Sequence, residues 1–220
     1  MELRVVVAPV FGTNCCVVSA GADCVVIDAG AGVADAVVRL VDDAGLTPRA
    51  VLATHGHADH TWDAGALCER YEIPIRLHEA DAYRLADPFG TLSPALEAAF
   101  GLHRDDYRPP AVIEPFATPG GSAVLTFGEV TLRALHAPGH TEGSTLYRPD
   151  GDMVLTGDVL FAGSVGRTDL HGGSGHVMAE TLRDVVRGLD PALAVVPGHG
   201  PATTVARELE TNPFLAAERR

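Results

Sequence analysis

Positive charge is scarce in this chain: 16 lysine and arginine residues stand against 29 acidic ones among 220, a formal net charge of −13. No basic block interrupts that balance, which argues against nucleic acid or an anionic membrane as a partner. Part of the negative charge suits a site awaiting cations, since two divalent ions would offset about four units of it. Cysteine is sparse as well. Cys15, Cys16, Cys24 and Cys68 form no C-x-x-C pair and no disulfide-like spacing, which fits reduced thiols and an expected cytoplasmic setting. The opening "MELRVVVAPVFGTNCCVVSA" has neither the apolar run nor the cleavage pattern of a signal peptide, and no stretch is long enough to span a bilayer. No linker, low-complexity tract or internal repeat divides the sequence, so residues 1–220 are expected to form one domain.

With 46% hydrophobic residues the chain can bury a sizeable core. Short β-branched runs at 3–7, 15–19 and 24–28, separated by Gly, Asn or Pro turns, predict an opening β-meander. From Val33 to Ala44 the apolar spacing becomes helical, Gly45 stops it, and the strand "AVLAT" follows at 50–54. A helix is predicted over Trp62–Tyr71 and a strand at "IPIRLH". Residues 79–115, with helical "PALEAAFGL" followed by Pro109-Pro110, read as a lid or insertion. The second half predicts strands at "AVLTF", "VTLRALH", "STLYR", "MVLTG" and "LAVVP", a helix around 177–189 and a terminal helix. This order, β-rich then helical, twice over, predicts two sheets with helices outside them.

The chemistry gathers at strand ends. "AVLAT" leads into "HGHADH", which supplies His55, His57, Asp59 and His60; "VTLRALHAPG" leads into His140; "MVLTG" leads into Asp158; "AVVPG" leads into His199. If these strands share direction, five histidines and two aspartates surround one cavity. Side chains two apart in extended backbone share a side, so His55 and His57 can bind one ion while Asp59 and His60, past a turn, reach another. A helical zinc motif would space its histidines at i and i+4, so this cluster is expected on a loop. Imidazole and carboxylate donors suit zinc, and also iron or manganese, whereas a closed structural zinc site more often uses cysteine. Seven groups exceed one tetrahedral ion and suit two ions bridged by a carboxylate, with Asp158 as the bridge and hydrolysis as the implied reaction. Asp59 and Asp158 are the expected catalytic carboxylates.

"THGHADH", "APGHTEGS", "TGDVLFAGSVGRTDL" and "PGHG", in that order, resemble the metallo-β-lactamase superfamily, in particular its glyoxalase II-like branch, over nearly the whole chain. The resemblance implies an αββα sandwich, an α/β architecture with the metals at the sheet edges. It implies that His55, His57 and His140 hold one ion, that Asp59, His60 and His199 hold a second, and that Asp158 bridges them. It also implies a thioesterase acting on a small S-acyl thiol such as hydroxyacylglutathione. Two departures stand out. Glyoxalase II has a C-terminal helical region whose basic and tyrosine residues grip glutathione, and this chain is expected to lack it after "GHGPATTVARELETNPFL". The family's loop often carries proline where "GRTDLHGGS" has His171, so the substrate-facing wall is expected to differ.

Other residues carry weaker signals. Asp28 fits a supporting role behind the ligands or a simple turn aspartate. Arg167 and Asp169 are expected to tie a glycine-rich loop in place, with Arg167, His171 and His176 facing substrate; that loop lacks the P-loop spacing and lysine. His136 reads as packed, and His78 and His103 as surface residues. Tyr107 and Phe89 are candidates for an acyl pocket, with core packing the alternative; Trp62 and Tyr71 are expected to pack. Three rival functions remain open: a mononuclear iron persulfide dioxygenase using His55, His140 and Asp158, a lactonase, and a non-catalytic metal-binding module. Intact Asp59, His60 and His199 favour the dinuclear hydrolase.

Overall fold

Strands β1 (Glu2–Val7), β2 (Asn14–Ala20) and β3 (Asp23–Ile27) pair antiparallel in sequence, Val5 opposite Cys16 and Val17 opposite Val26. The computed structural model describes residues 1–87, 90, 98, 101 and 103–216. Helix α1 (Ala34–Asp43) then carries the chain over to β4 (Thr47–Leu52), parallel to β3, and β5 (Ile75–Arg76) adds in parallel after α2 (Ala58–Thr61) and α3 (Ala64–Tyr71). A second sheet holds β6 (Ser122–Phe127), β7 (Val130–His136), β8 (Thr145–Pro149), β9 (Met153–Gly157), β10 (Ala194–Pro197) and β11 (Thr203–Thr204), in the order β11-β10-β9-β8-β7-β6. Helix α4 (Gly175–Asp184) is the crossover that makes β9 and β10 parallel, and α5 (Val205–Thr211) and α6 (Pro213–Ala216) close the chain.

The two sheets face each other and helices cover their outer faces, the αββα sandwich that the sequence implies. Strand alternation explains the layering, because successive side chains point to opposite faces. Val17, Val26 and Val51 pack outward with Val37 and Val41 of α1 and Leu67 of α3. Their neighbours Val18, Val25 and Leu52 point inward, against Leu125, Leu132, Ala134, Tyr147 and Leu155 of the other sheet. Beyond that sheet, Leu146, Val154 and Val195 meet Met178 and Leu182 of α4 and Val205 of α5. Burial on both faces is why β2 and β3 read as unbroken apolar runs instead of alternating ones.

The elements follow the sequence pattern with three differences. The "HGHADH" segment is not all loop: Asp59 and His60 lie in the single turn of α2, and α3 starts only at Ala64. "IPIRLH" is a strand over two residues only, continued by single bridges from Ile75 to Ile113 and from His78 to Phe116. His78 is buried, 6% exposed, where a surface histidine was expected. It stacks on His136 with centroids 4.1 Å apart, a contact between segments far apart in sequence. The helix expected at "PALEAAFGL" and the side chain of Phe89 fall largely or wholly outside the described residues. Among the described residues, no helix is long and apolar enough to cross a membrane.

The ligand-bearing ends converge because β7 and β9 both run antiparallel to β8, and β10 runs parallel to β9, so three of these strands point the same way. The fourth, β4, belongs to the other sheet. Backbone hydrogen bonds stitch the two sheets at this rim: Thr145 N donates to Thr54 O at 2.8 Å and Asn14 N to Gly198 O at 2.7 Å. Leu132 is fully buried between the sheets, whereas Val124 is 64% exposed. In urea denaturation, Leu132→Ala is expected to lose about 2–5 kcal/mol of stability, and Val124→Ala less than about 0.5 kcal/mol.

Candidate metal centre

Three imidazole nitrogens form a triangle at the rim. His55 Nε2 lies 3.1 Å from His57 Nδ1, His57 Nδ1 lies 2.9 Å from His140 Nε2, and His140 Nε2 lies 3.1 Å from His55 Nε2. All three residues are buried. Outer partners fix the tautomers of two of them, His140 and His55, whereas His57 Nε2 is buried without a partner. Arg167 O can only accept, so His140 Nδ1 must donate to it across 2.7 Å, and in the neutral ring the lone pair then sits on Nε2. Thr54 Oγ1 gives its proton to Asp28 Oδ2 at 2.8 Å and so accepts from His55 Nδ1 at 3.2 Å, which leaves His55 Nε2 bare too. With both rings neutral, two lone pairs face each other at 3.1 Å, an arrangement that a shared cation, or an N–H at His57 Nδ1, would relieve. Edges near 3 Å suit a face of nitrogen donors around an ion with bonds of about 2.0–2.1 Å.

A second group stands beside the first. His199 Nε2 lies 3.2 Å from His60 Nε2 and 3.1 Å from Asp59 Oδ2. Asp158 lies between the groups: Oδ2 is 3.6 Å from His140 Nε2 and 3.7 Å from His199 Nε2, and Oδ1 is 3.3 Å from His60 Nε2. Asp158 Oδ1 is buried without a hydrogen-bond partner, an arrangement that proteins rarely leave unresolved. Clusters of donor atoms close enough to share an ion are His55, His57 and His140; His55, Asp59 and His60; and His60, Asp158 and His199. The residues present fit divalent cations: mixed nitrogen and oxygen donors gathered within reach of one another, with the outward nitrogens of His55 and His140 already committed.

The charges sort in the same way. Burial drives His55 well below the usual imidazole range, and the neighbouring imidazoles push it further. Burial, with His140 adding to it, takes His57 down to about 3. Both rings are neutral at pH 7, the state that a ligand requires. Burial also opposes charge on His60, but Asp28, Asp158 and Asp59 outweigh it and hold that ring well above its ordinary value. Burial would raise the carboxyls of Asp59 and Asp158, yet the adjacent histidines hold both below their usual range.

Asp28 supports the centre from behind. Its backbone is left-handed, φ 60°, and it accepts from Thr54 N at 2.7 Å and from the Thr54 hydroxyl, while Oδ2 lies 3.0 Å from His60 Nδ1. One carboxylate thus orients His55 through Thr54 and faces His60 directly. Thr13 and Asn14 hold the opposite side, through Thr13 Oγ1 to Asp59 O and Asn14 Nδ2 to Pro197 O and Gly200 O.

All seven expected ligands therefore meet at one place. A cavity of about 370 Å³ opens above them, lined by His57, Asp59, His140, Asp158 and His199 together with Phe11, Ala58, Phe161, Arg167 and Leu170. Arg167 reaches this lining and pairs with Asp169 through two hydrogen bonds of 2.7 and 2.8 Å. His171 and His176 stand outside it, exposed, near Tyr83 and Glu180 respectively. Tyr107 packs on Trp62 and donates to Leu85 O, so it belongs to the core side. Nothing in the sequence pattern marks Phe11, Phe161 or Leu170 as part of this lining. Phe11 has φ 68°, and no pattern in "PVFGTN" signals that such a turn would project over a site built 44 residues later.

Residues 8–199 match the family model described as the metallo-beta-lactamase superfamily. The chain is 37% identical over 217 residues to the uncharacterized protein Rv2581c of Mycobacterium tuberculosis, covering 94% of this chain and 95% of that protein. It is 35% identical to the probable metallo-hydrolase YqgX of Bacillus subtilis, with 87% of each covered. It is 29% identical to the hydroxyacylglutathione hydrolase GloC of Haemophilus influenzae, with 98% of each covered. Among solved structures, BLEG-1 B3 metallo-beta-lactamase superposes with a TM-score of 0.82 at 30% identity, and TTHA1623 in a di-iron-bound form with 0.81 at 32%. Each pairing covers 98% of this chain and 100% of the other.

Removal of a carboxylate behind metal-bound histidines typically lowers metal affinity 10–100-fold. Asp28→Ala is expected to show that loss in a chelator competition titration, with a near-native circular dichroism spectrum. Affinity equal to that of the unaltered protein would contradict the supporting role.

Proposed function

The chain belongs to the metallo-beta-lactamase superfamily, and from that premise we propose that it is a metal-dependent thioester hydrolase holding two divalent ions, zinc first among the candidates. The observation that carries this reading is the meeting of seven nitrogen and oxygen donors, from four strand ends, at the floor of a cavity walled by apolar side chains. His55, His57 and His140 would hold one ion, Asp59, His60 and His199 the other, with Asp158 between them. When bound, such a pair supplies an acidified water and Lewis-acid polarisation of a carbonyl.

The chain's own groups set the conditions around that chemistry. Phe11, Phe161, Leu170 and Ala58 give an acyl chain a dry wall and exclude bulk water. Arg167, held by Asp169, keeps its carbonyl on His140 Nδ1 and so turns His140 Nε2 toward the cavity floor. The lining, among the described residues, offers no proton donor apart from the donor groups themselves and this arginine. A thiol with a pKa of about 8.5 leaves without one, whereas an amine does not. That favours a thioester over the ring amide suggested by the likeness to BLEG-1, and agrees with the likeness to GloC. A persulfide dioxygenase triad of His55, His140 and Asp158 would leave Asp59, His60 and His199 gathered without a task. The donor set accepts iron as readily as zinc, as the di-iron form of TTHA1623 illustrates for that protein.

The test is a substrate panel with metal-replete protein: hydroxyacylglutathione, an S-acyl coenzyme A, a lactone, a cephalosporin, and glutathione persulfide under oxygen. Cleavage of S-acyl thiols with the highest kcat/KM, abolished by chelation and restored by zinc or iron, is the expected outcome. Preference for the lactone or the cephalosporin, or oxygen uptake with the persulfide, would overturn the thioesterase reading.

A further inference from the structure

A second buried polar cluster lies behind the centre, and none of its residues was expected from the sequence to have a role there. It is built on Asp81 and Arg84, in the 3₁₀ turn Glu79–Leu85 that follows β5. Asp81 is 0% exposed and Arg84 1%. A buried carboxylate and guanidinium are expensive unless every oxygen finds a donor. Asp81 finds four. Oδ2 accepts from Gly56 N at 2.8 Å and from Thr141 Oγ1 at 2.7 Å; Oδ1 accepts from Gly143 N at 2.9 Å and from Arg84 Nε at 3.2 Å.

Those partners are not scattered. Gly56 is the residue between His55 and His57, and Thr141 directly follows His140. A single carboxylate therefore grips both loops that supply the imidazole triangle, across 25 and 60 residues of sequence. Arg84 extends the grip: Nη2 donates to Glu142 Oε2 and to His171 O, the latter at 3.0 Å, which brings in the loop that also carries Arg167 and Asp169. Glycine makes the approach possible at two of the contacts. A Cβ on Gly143 would lie 2.7 Å from Asp81 Cβ, and one on Gly56 2.8 Å from Arg84 Cδ, so neither loop could come this close with a side chain at that position.

We propose that Asp81 is a positioning residue that sets the spacing of the His55, His57 and His140 nitrogens by tying Gly56 and the 141–143 turn to one carboxylate, with Arg84 relaying the same constraint to the 167–172 loop. The inference rests on the metal-centre reading given above. Asp81 touches none of the donor atoms and acts only through the backbone that carries them. Both oxygens face N–H or O–H donors, so an amide in its place must turn its own NH₂ toward two of them and release one of the loops.

The test is Asp81→Asn, read in three ways. Cobalt(II) affinity is expected to fall about 10–100-fold, the range for supports of metal ligands, with an altered visible d–d spectrum. Amide exchange, which needs no metal, is expected to show lost protection at Gly56 and Gly143 while sheet amides such as Val25 keep theirs. Turnover is expected to lose kcat more than it raises KM. An unchanged cobalt spectrum and affinity with protected Gly56 and Gly143 amides would overturn the proposal, even if the melting temperature dropped. If Asp81→Asn does not fold, Thr141→Val decides, since it keeps the charge and deletes one donor: weaker cobalt binding with exposed Gly143 supports the clamp, and cobalt affinity within twofold of the unaltered protein overturns it. Should the unaltered protein bind no metal at all, the function proposed above fails, and the exchange data alone judge the clamp.

Discussion

The structure turns on an electrostatic conflict at the rim: the inward nitrogens of His55 and His140 stand 3.1 Å apart, lone pair against lone pair when both rings are neutral, with His57 completing the triangle. Burial keeps His55 and His57 neutral, so a protonated, repelling cluster is avoided, and at most one N–H, that of His57, is left to serve three converging nitrogens. A divalent cation would relieve that conflict at all three nitrogens together, whereas an N–H at His57 Nδ1 must be shared between two of them. Arg167 O and the Thr54–Asp28 pair each occupy the far nitrogen of a ring, and Asp158 contributes an unpartnered oxygen beside the second group. Outer partners that fix tautomer and orientation are half the design of a metal site.

The sandwich supplies the means of holding such a conflict in place. Two sheets packed through Leu132, Tyr147, Leu52 and Ile27 present their strand ends at one rim, and direct hydrogen bonds cross from sheet to sheet there. Donor groups on four strands thus inherit the rigidity of two cores instead of depending on a flexible loop. The apolar wall of Phe11, Phe161 and Leu170 belongs to the segments that rise from the same rim.

Much of this was legible in the sequence, and the reason is periodicity plus punctuation. Each strand that leads to a donor is an apolar run ended by a small residue or proline, so His55, His140, Asp158 and His199 could be aligned before any contact was known. What escaped detection depends on long-range geometry. Asp81 sits in an unremarkable "EADAYRL", and only the folded chain shows it between Gly56 and Gly143. His78 reads as a surface histidine because "RLHEAD" looks polar, whereas a bridge to Phe116 and stacking on His136 bury it. Phe11 is hidden by a left-handed turn that its neighbours do not announce. The one-turn helix carrying Asp59 and His60 is shorter than any pattern a hydrophobic period can register.

The most direct measurement is anomalous X-ray diffraction at the zinc and iron edges from crystals of protein purified without added metal. The account predicts two anomalous peaks, one against His55, His57 and His140 and one against Asp59, His60 and His199, with Asp158 between them. A map with the His199 ring turned away from the other histidines and no anomalous density at the rim would contradict it.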